Sequence, residues 1–350
     1  MASLFAVKTD GVCGSNKPAM KPKFLSIIAS LLLSLPFSSA QAAASLDKPV
    51  IQRDASGVIT LACATPGAHI RYSLDGSDPT PKAGQYLAPI ELAYGGTVKA
   101  RAFSADRQQQ SDLAEATVDA VRAGPRPPSS VVPVTQNRDW PGYDWAKRHA
   151  AVCALVRERK PRIVFIGDSI THFFGGEPCD WRRVGERVWK KYYGSRNAVD
   201  LGFGWDRTEN VLWRLQHGEL DGASPRVAVI HIGTNNLSTN TPAEIAAGIR
   251  AICDEIRARS TRTYILLLAI MPRGETPDAT RTKLGEVNKL IALLGFEDGI
   301  TFLDIGPYLV NRDGTISRDV MGDFLHPTEK GYAIWAGQME PTLKRLLGEQ

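Results

Sequence analysis

A chain of 350 residues with 43% hydrophobic and 23% charged side chains has the make-up of a globular protein that buries a real core, which excludes a disordered or fibrous polymer. The formal charge is +5, but residues 1–42 hold four Lys and one Asp, so the remainder carries about +2 and no basic footprint for nucleic acid. The five cysteines show no metal-type spacing.

Met20-Lys21-Pro22-Lys23 is a basic start, Phe24 to Phe37 an apolar core and Ala40-Gln41-Ala42 a small-residue exit. That pattern predicts a secretory signal peptide, too short and wrongly flanked for a transmembrane segment. Residues 1–42 are therefore expected to be leader and signal peptide, with Met1 to Ala19 a dispensable start, and the protein to be periplasmic or secreted. Beyond Cys13, Cys63, Cys153, Cys179 and Cys253 remain. Cys153 and Cys179 flank one strand and read either as a loop-pinning disulfide or as two buried thiols.

Residues 48–121 are built of short β-branched runs: Val58–Leu61, His69–Leu74, Ile90–Leu92 and Thr97–Ala102. Turn-forming clusters separate them, such as Asp75-Gly76-Ser77-Asp78-Pro79, which predicts a small antiparallel β-sandwich. Residues 122–140, with Ala123-Gly124-Pro125-Arg126-Pro127-Pro128, read as a stiff, polar, Pro-rich linker.

Residues 141–350 change texture again. After a helix over Tyr143–Arg159, strand patterns at Val164–Ile166, Ala198–Leu201, Val227–Ile232, Tyr264–Ile270 and Ile300–Leu303 alternate with helical ones. The helices are expected at Trp181–Tyr193, Glu209–His217, Pro242–Arg259, Thr280–Leu294 and Glu329–Leu347. Ile245, Ile249, Ile252 and Ile256 keep the spacing of one apolar helix face. Alternation of this kind predicts an α/β domain with a covered parallel sheet.

Four stretches of that domain could carry chemistry. In Ile163-Val164-Phe165-Ile166-Gly167-Asp168-Ser169, Ser169 follows a buried strand at the end where open α/β sheets place ligands. Taken alone it reads equally as a nucleophile or as a helix-capping serine. Leu201-Gly202-Phe203-Gly204-Trp205-Asp206 puts two glycines after a strand, but Arg207 stands where a dinucleotide fingerprint needs glycine. His231-Ile232-Gly233-Thr234-Asn235-Asn236 can aim an Asn amide at an oxyanion, or be a plain polar turn. In Asp323-Phe324-Leu325-His326-Pro327 the carboxylate can fold onto the imidazole Nδ1 and leave Nε2 for a serine; alone, the pair also reads as a helix-start acid beside a surface histidine.

Together, in this order, Gly167-Asp168-Ser169, Gly202–Asp206, Gly233-Thr234-Asn235 and Asp323–Pro327 resemble the blocks of the SGNH (GDSL-type) hydrolases. The likeness runs toward the platelet-activating-factor acetylhydrolase catalytic subunits through Val211-Leu212-Trp213-Arg214-Leu215, Met271-Pro272-Arg273-Gly274 and Asp313-Gly314-Thr315-Ile316-Ser317. It implies a flavodoxin-like three-layer α/β/α fold with a five-stranded parallel sheet and no metal or organic cofactor. It also implies a catalytic Ser169, Asp323 and His326, and oxyanion donors at Ser169 N–H, Trp205 N–H and the Asn235 amide. Trp205 stands where the family has glycine: a left-handed backbone there would strain it, and Gly204 is the fallback donor. Separately, Tyr72-Ser73-Leu74-Asp75-Gly76-Ser77-Asp78-Pro79-Thr80 with Val98–Ala102 resembles the chitobiase/hexosaminidase C-terminal-type module. That likeness implies polysaccharide surroundings, or an inert spacer.

Asp168, His172 and Arg273 are candidate substrate contacts, with Arg207 and Arg273 reading equally as ion-pair formers; His231 reads as a core group or a support to the site, and Trp213 and Leu215 as core. The expected protein is an exported serine esterase releasing acetyl from a carbohydrate. The alternatives are an acetylhydrolase acting on a phospholipid and a non-catalytic polysaccharide binder. No pattern in the chain specifies an oligomeric state.

Overall fold

The computed structural model describes residues 45–137, 142–178 and 181–350. The signal-peptide segment 1–42 and Cys179 lie outside the described residues. Cys153 carries a free, buried thiol, with Sγ 3.6 Å from His149 Nε2.

Seven short strands come first: β1 (Val50–Arg53), β2 (Val58–Ala62), β3 (His69–Ser73), β4 (Gly84–Gln85), β5 (Ile90–Glu91), β6 (Gly96–Phe103) and β7 (Ala114–Val118). They pair antiparallel in two sheets, β1-β2-β5 and β4-β3-β6-β7. Ile59, Leu61, Tyr72, Ile90, Val98 and Ala100 fill the space between them. The sequence pattern missed β1, β4 and β7. β1 buries no residue fully, β4 is two residues long, and Ala-Glu-Ala-Thr-Val of β7 has little strand preference of its own. β7 is held by its full register with β6, from Gly96 opposite Val118 to Ala100 opposite Ala114.

Then come α1 (Trp145–Arg159), β8 (Ile163–Gly167), α2 (Ser169–His172), α3 (Glu186–Tyr193), β9 (Ala198–Gly202), α4 (Thr208–Gln216) and β10 (Val227–His231). They are followed by α5 (Pro242–Arg259), β11 (Tyr264–Leu268), α6 (Ala279–Ala292), β12 (Ile300–Leu303) and α7 (Glu329–Leu347). The five strands β12-β11-β10-β8-β9 form one parallel sheet. In chain order this is 2-1-3-4-5, the flavodoxin-like arrangement, whose crevice opens where the order reverses beside the first strand.

Alternate residues of each strand face opposite layers. Val164, Ile166, Ala228 and Ile230 pack with α1, α4, α5 and α6. Ile163, Phe165, Val227 and Val229 pack with α2, α3 and α7. Ile245, Ile249, Ile252 and Ile256 of α5 are all inaccessible, so each contributes on the order of 2 kcal/mol of hydrophobic stabilisation. Thr241 and Glu244 close a reciprocal cap at the start of α5, with Pro242 in its first turn.

Two sequence expectations change here. The helix expected from Trp181 starts only at Glu186, and the Trp181 ring instead stacks on Tyr143 at 5.9 Å. The expected linker is bonded down over residues 129–136. Thr208 Oγ1 donates to Ser130 O, Asn210 Nδ2 to Val134 O and Ser130 Oγ to Glu244 O. Thr135 Oγ1 donates to Gln85 O, back toward β4. Ser, Thr and Gln side chains that would serve a solvated linker serve equally as donors once a complementary surface is present.

Candidate active site

Ser169 stands at the carboxyl end of β8, two residues after a glycine whose surroundings leave no room for a side chain. A Cβ on Gly167 would lie 2.4 Å from His231 O and 2.2 Å from Thr171 Oγ1. Asp168 then caps α2, accepting from Ile170 N at 2.9 Å, and Ser169 opens the helical turn with 9% of its surface exposed.

The loop before α7 brings the imidazole to it. Met321 pairs with Pro327 across the loop, and Phe324 takes a left-handed φ of 60° between them. This folds Asp323 under His326: Oδ1 accepts from His326 N at 2.7 Å and from Leu325 N at 3.1 Å. Asp323 Oδ2 lies 2.7 Å from His326 Nδ1, and His326 Nε2 lies 2.8 Å from Ser169 Oγ. Partial burial pushes the Asp323 carboxyl up, but hydrogen bonds from the His326 backbone and ring outweigh it and leave the group below its usual value. A carboxylate held anionic keeps the proton of a neutral imidazole on Nδ1, so that Nε2 can accept the serine proton.

The loop after β9 approaches Ser169 from the other side. Phe203 N donates to Gly167 O at 3.0 Å. Trp205 has φ of 69°, the left-handed conformation expected to strain it, at a cost of about 1–2 kcal/mol. Asn235 Nδ2 donates to Asp206 O at 2.9 Å, which sets the amide against this loop. Asn236, its neighbour, is a buried hub: Oδ1 accepts from Thr208 N, and Nδ2 donates to Glu209 Oε2 and Asn240 Oδ1. Sequence reasoning passed over Asn236, although the Asn-Asn pair itself was the available signal.

Beneath the loop lies a buried ionic group. Asp206 accepts from Arg214 Nε, Trp145 Nε1 and Gln136 Nε2, each at 2.8 Å, and Arg214 also pairs with Glu219. Burial pushes the Asp206 carboxyl up to about 6 against the pull of Arg214. Asp168 rises further, to about 7, mainly through complete burial, with the Asp206 charge adding to it.

Three expectations about contacts are corrected. Asp168 is fully buried beneath the serine turn, so it does not face substrate. His172, 1% exposed, does not face it either; its Nδ1 accepts from Gly204 N at 3.2 Å. That same bond consumes the Gly204 N–H, which removes Gly204 as the fallback donor. Arg273 donates to Thr234 Oγ1 at 3.1 Å and lines an open depression with Asp323, Phe324, Asp278 and Thr280. His231 is a core group, accepting from Met271 N at 3.2 Å, and burial takes it down to about 4. Among the described residues no group of three or more His, Cys, Asp or Glu could hold a metal ion. No described helix is long and apolar enough to cross a membrane.

Residues 165–334 match the model of the GDSL-like lipase/acylhydrolase family, and residues 59–118 match the one described as Fn3 associated. Platelet-activating factor acetylhydrolase IB subunit alpha1 of Homo sapiens is 34% identical over 206 residues, which cover 59% of this chain and 85% of that one. The alpha2 subunit of Rattus norvegicus is also 34% identical over 206 residues, covering 59% and 86%. Among solved structures, a GDSL-like lipase from Bacteroides thetaiotaomicron superposes with a TM-score of 0.47 at 20% identity, covering 57% of this chain and 97% of that one.

Proposed function

Because the chain belongs to the GDSL-like lipase/acylhydrolase family, and is thus an ester hydrolase, we propose that it is an exported serine esterase that removes acetyl or similarly short acyl groups from a carbohydrate. The observation that carries this reading is the unbroken pair of hydrogen bonds from Ser169 Oγ through the His326 ring to Asp323.

In the proposed cycle Ser169 Oγ attacks the ester carbonyl carbon while its proton passes to His326 Nε2. Asp323 stabilises the imidazolium that forms. Negative charge on the carbonyl oxygen is met by the Ser169 and Trp205 N–H groups and the Asn235 amide. Collapse of the tetrahedral intermediate expels the alcohol, which takes the proton from His326. Water then repeats the sequence on the acyl-serine, returning the free serine and the acid.

The depression beside the triad supports a polar alcohol. Arg273, Asp278, Thr280 and Asp323 along it offer charge and hydrogen bonds to hydroxyl groups. The export part of the reading rests on the pattern of residues 20–42. The relatives at 34% identity favour a second reading, acetyl release from a phospholipid.

Two measurements separate these. Turnover of p-nitrophenyl acetate should exceed that of the butyrate and octanoate esters and vanish in Ser169→Ala; rates rising with chain length would refute the short-acyl reading. Acetate release should be faster from acetylated xylan, pectin or peptidoglycan sugars than from platelet-activating factor, and the reverse order would establish the phospholipid reading.

A further inference from the structure

The peptide joining Gly204 to Trp205 is gripped from outside its own loop. Gly204 O accepts from Tyr143 Oη at 2.7 Å and from Gln136 Nε2 at 2.8 Å. The other proton of the Gln136 amide goes to Asp206 Oδ1, also at 2.8 Å. Both partners are acceptors, which settles the end of the amide that is nitrogen. On its far side Gly204 donates its N–H to His172 Nδ1.

In a trans peptide the carbonyl and the following N–H point in opposite directions. Two donors drawing Gly204 O toward residues 136 and 143 therefore turn the Trp205 N–H away from them. The left-handed backbone of Trp205 is a conformation that a bulky residue keeps only where its surroundings over-determine it. Gln136 is buried, and burial followed by the nearby Asp206 charge raises the Tyr143 phenol well above its usual value, so it remains a donor.

We infer that Gln136 and Tyr143 are positioning residues of the oxyanion hole, aiming the Trp205 N–H through their hold on the Gly204 carbonyl. The stretch that reads as a linker in the sequence thereby contributes to the active site. This inference rests on the roles proposed above for Ser169 and Trp205.

The test uses the full chain. Tyr143→Phe and Gln136→Met should each lower kcat on p-nitrophenyl acetate by on the order of tenfold, with KM changed by less than about twofold. A trifluoromethyl ketone adds Ser169 Oγ to its carbonyl carbon and passes the serine proton to His326, leaving an oxyanion where the ester's would form. Its inhibition constant should rise by the same factor as kcat falls. Gln136→Glu fills the same space but brings an acceptor against Gly204 O and Asp206, so it should be impaired at least as much as Gln136→Met.

Tyr143→Phe removes one oxygen atom and carries the test if the Gln136 variants fail to fold. Unchanged kcat and unchanged ketone inhibition in a folded Tyr143→Phe, Gln136→Met double variant overturn the positioning role alone. Wild-type turnover that survives Ser169→Ala overturns the underlying reading, and this inference with it.

Discussion

The side chains around Ser169 divide into those that touch the reacting ester in the proposed cycle and those that shape the backbone presenting it. Asn235 belongs to the first group, and its loss should lower kcat by roughly 10²–10³ with little change in KM, as steady-state kinetics of Asn235→Ala would record. Asp168 belongs to the second, and its behaviour is read in pH. The native state holds its proton up to about pH 7, whereas an exposed carboxyl releases it near 3.8. Between those values the native state binds more protons than the unfolded chain, so this group's stabilising contribution is full below about pH 4 and is lost as pH rises to about 7. Asp168→Asn keeps the acceptor for Ile170 N–H and never ionises. Its gain in melting temperature over wild type should therefore be larger at pH 8 than at pH 5, by on the order of 5 °C. A gain independent of pH would show that Asp168 does not titrate in this range.

At the scale of elements, the junction of β8 with α2 leaves least freedom. Because a Cβ on Gly167 would meet His231 O on the neighbouring strand at 2.4 Å, Gly167→Ala must push β8 from β10 or displace the serine turn. We expect a lowered melting temperature together with lost turnover. Ile249→Ala on α5 should cost about 2–5 kcal/mol in denaturant unfolding, because its side chain is fully buried. The central strands were legible because both their faces are covered: every residue of β8, β9 and β10 is buried, and the apolar runs mark them plainly. The α5 face was legible for the corresponding reason at helical period. The start of α3 was not, because Trp181 carries the apolar signal of a helix while spending it on Tyr143 and Phe173.

Over the whole molecule, the two sets of sheets are joined through residues 129–136 rather than merely tethered. Thr135 bonds to Gln85 O on one side while Gln136, next in the chain, holds Gly204 O and Asp206 on the other. A chain starting at Ala123, which lacks the sandwich and keeps this strap, should therefore retain more kcat than one starting at Gly142, by on the order of tenfold. Equal kcat for the two, measured on p-nitrophenyl acetate, would show that the strap has no part in turnover.

What the sequence determined by itself was whatever its local chemistry writes at fixed spacing: the buried strand runs, the apolar face of α5, and the four ordered blocks that bear Ser169, Trp205, Asn235 and the Asp323–His326 pair. The carboxylate three residues before His326 was readable because a turn brings it back within the same seven residues. Tertiary structure decided the remainder. His172 spends Nδ1 on Gly204, Asp168 faces inward, and Gln136 and Tyr143 reach a carbonyl more than sixty residues ahead of them. A hydrogen-bond donor looks the same in a sequence whether it meets water or a distant peptide, and only the folded chain selects its partner.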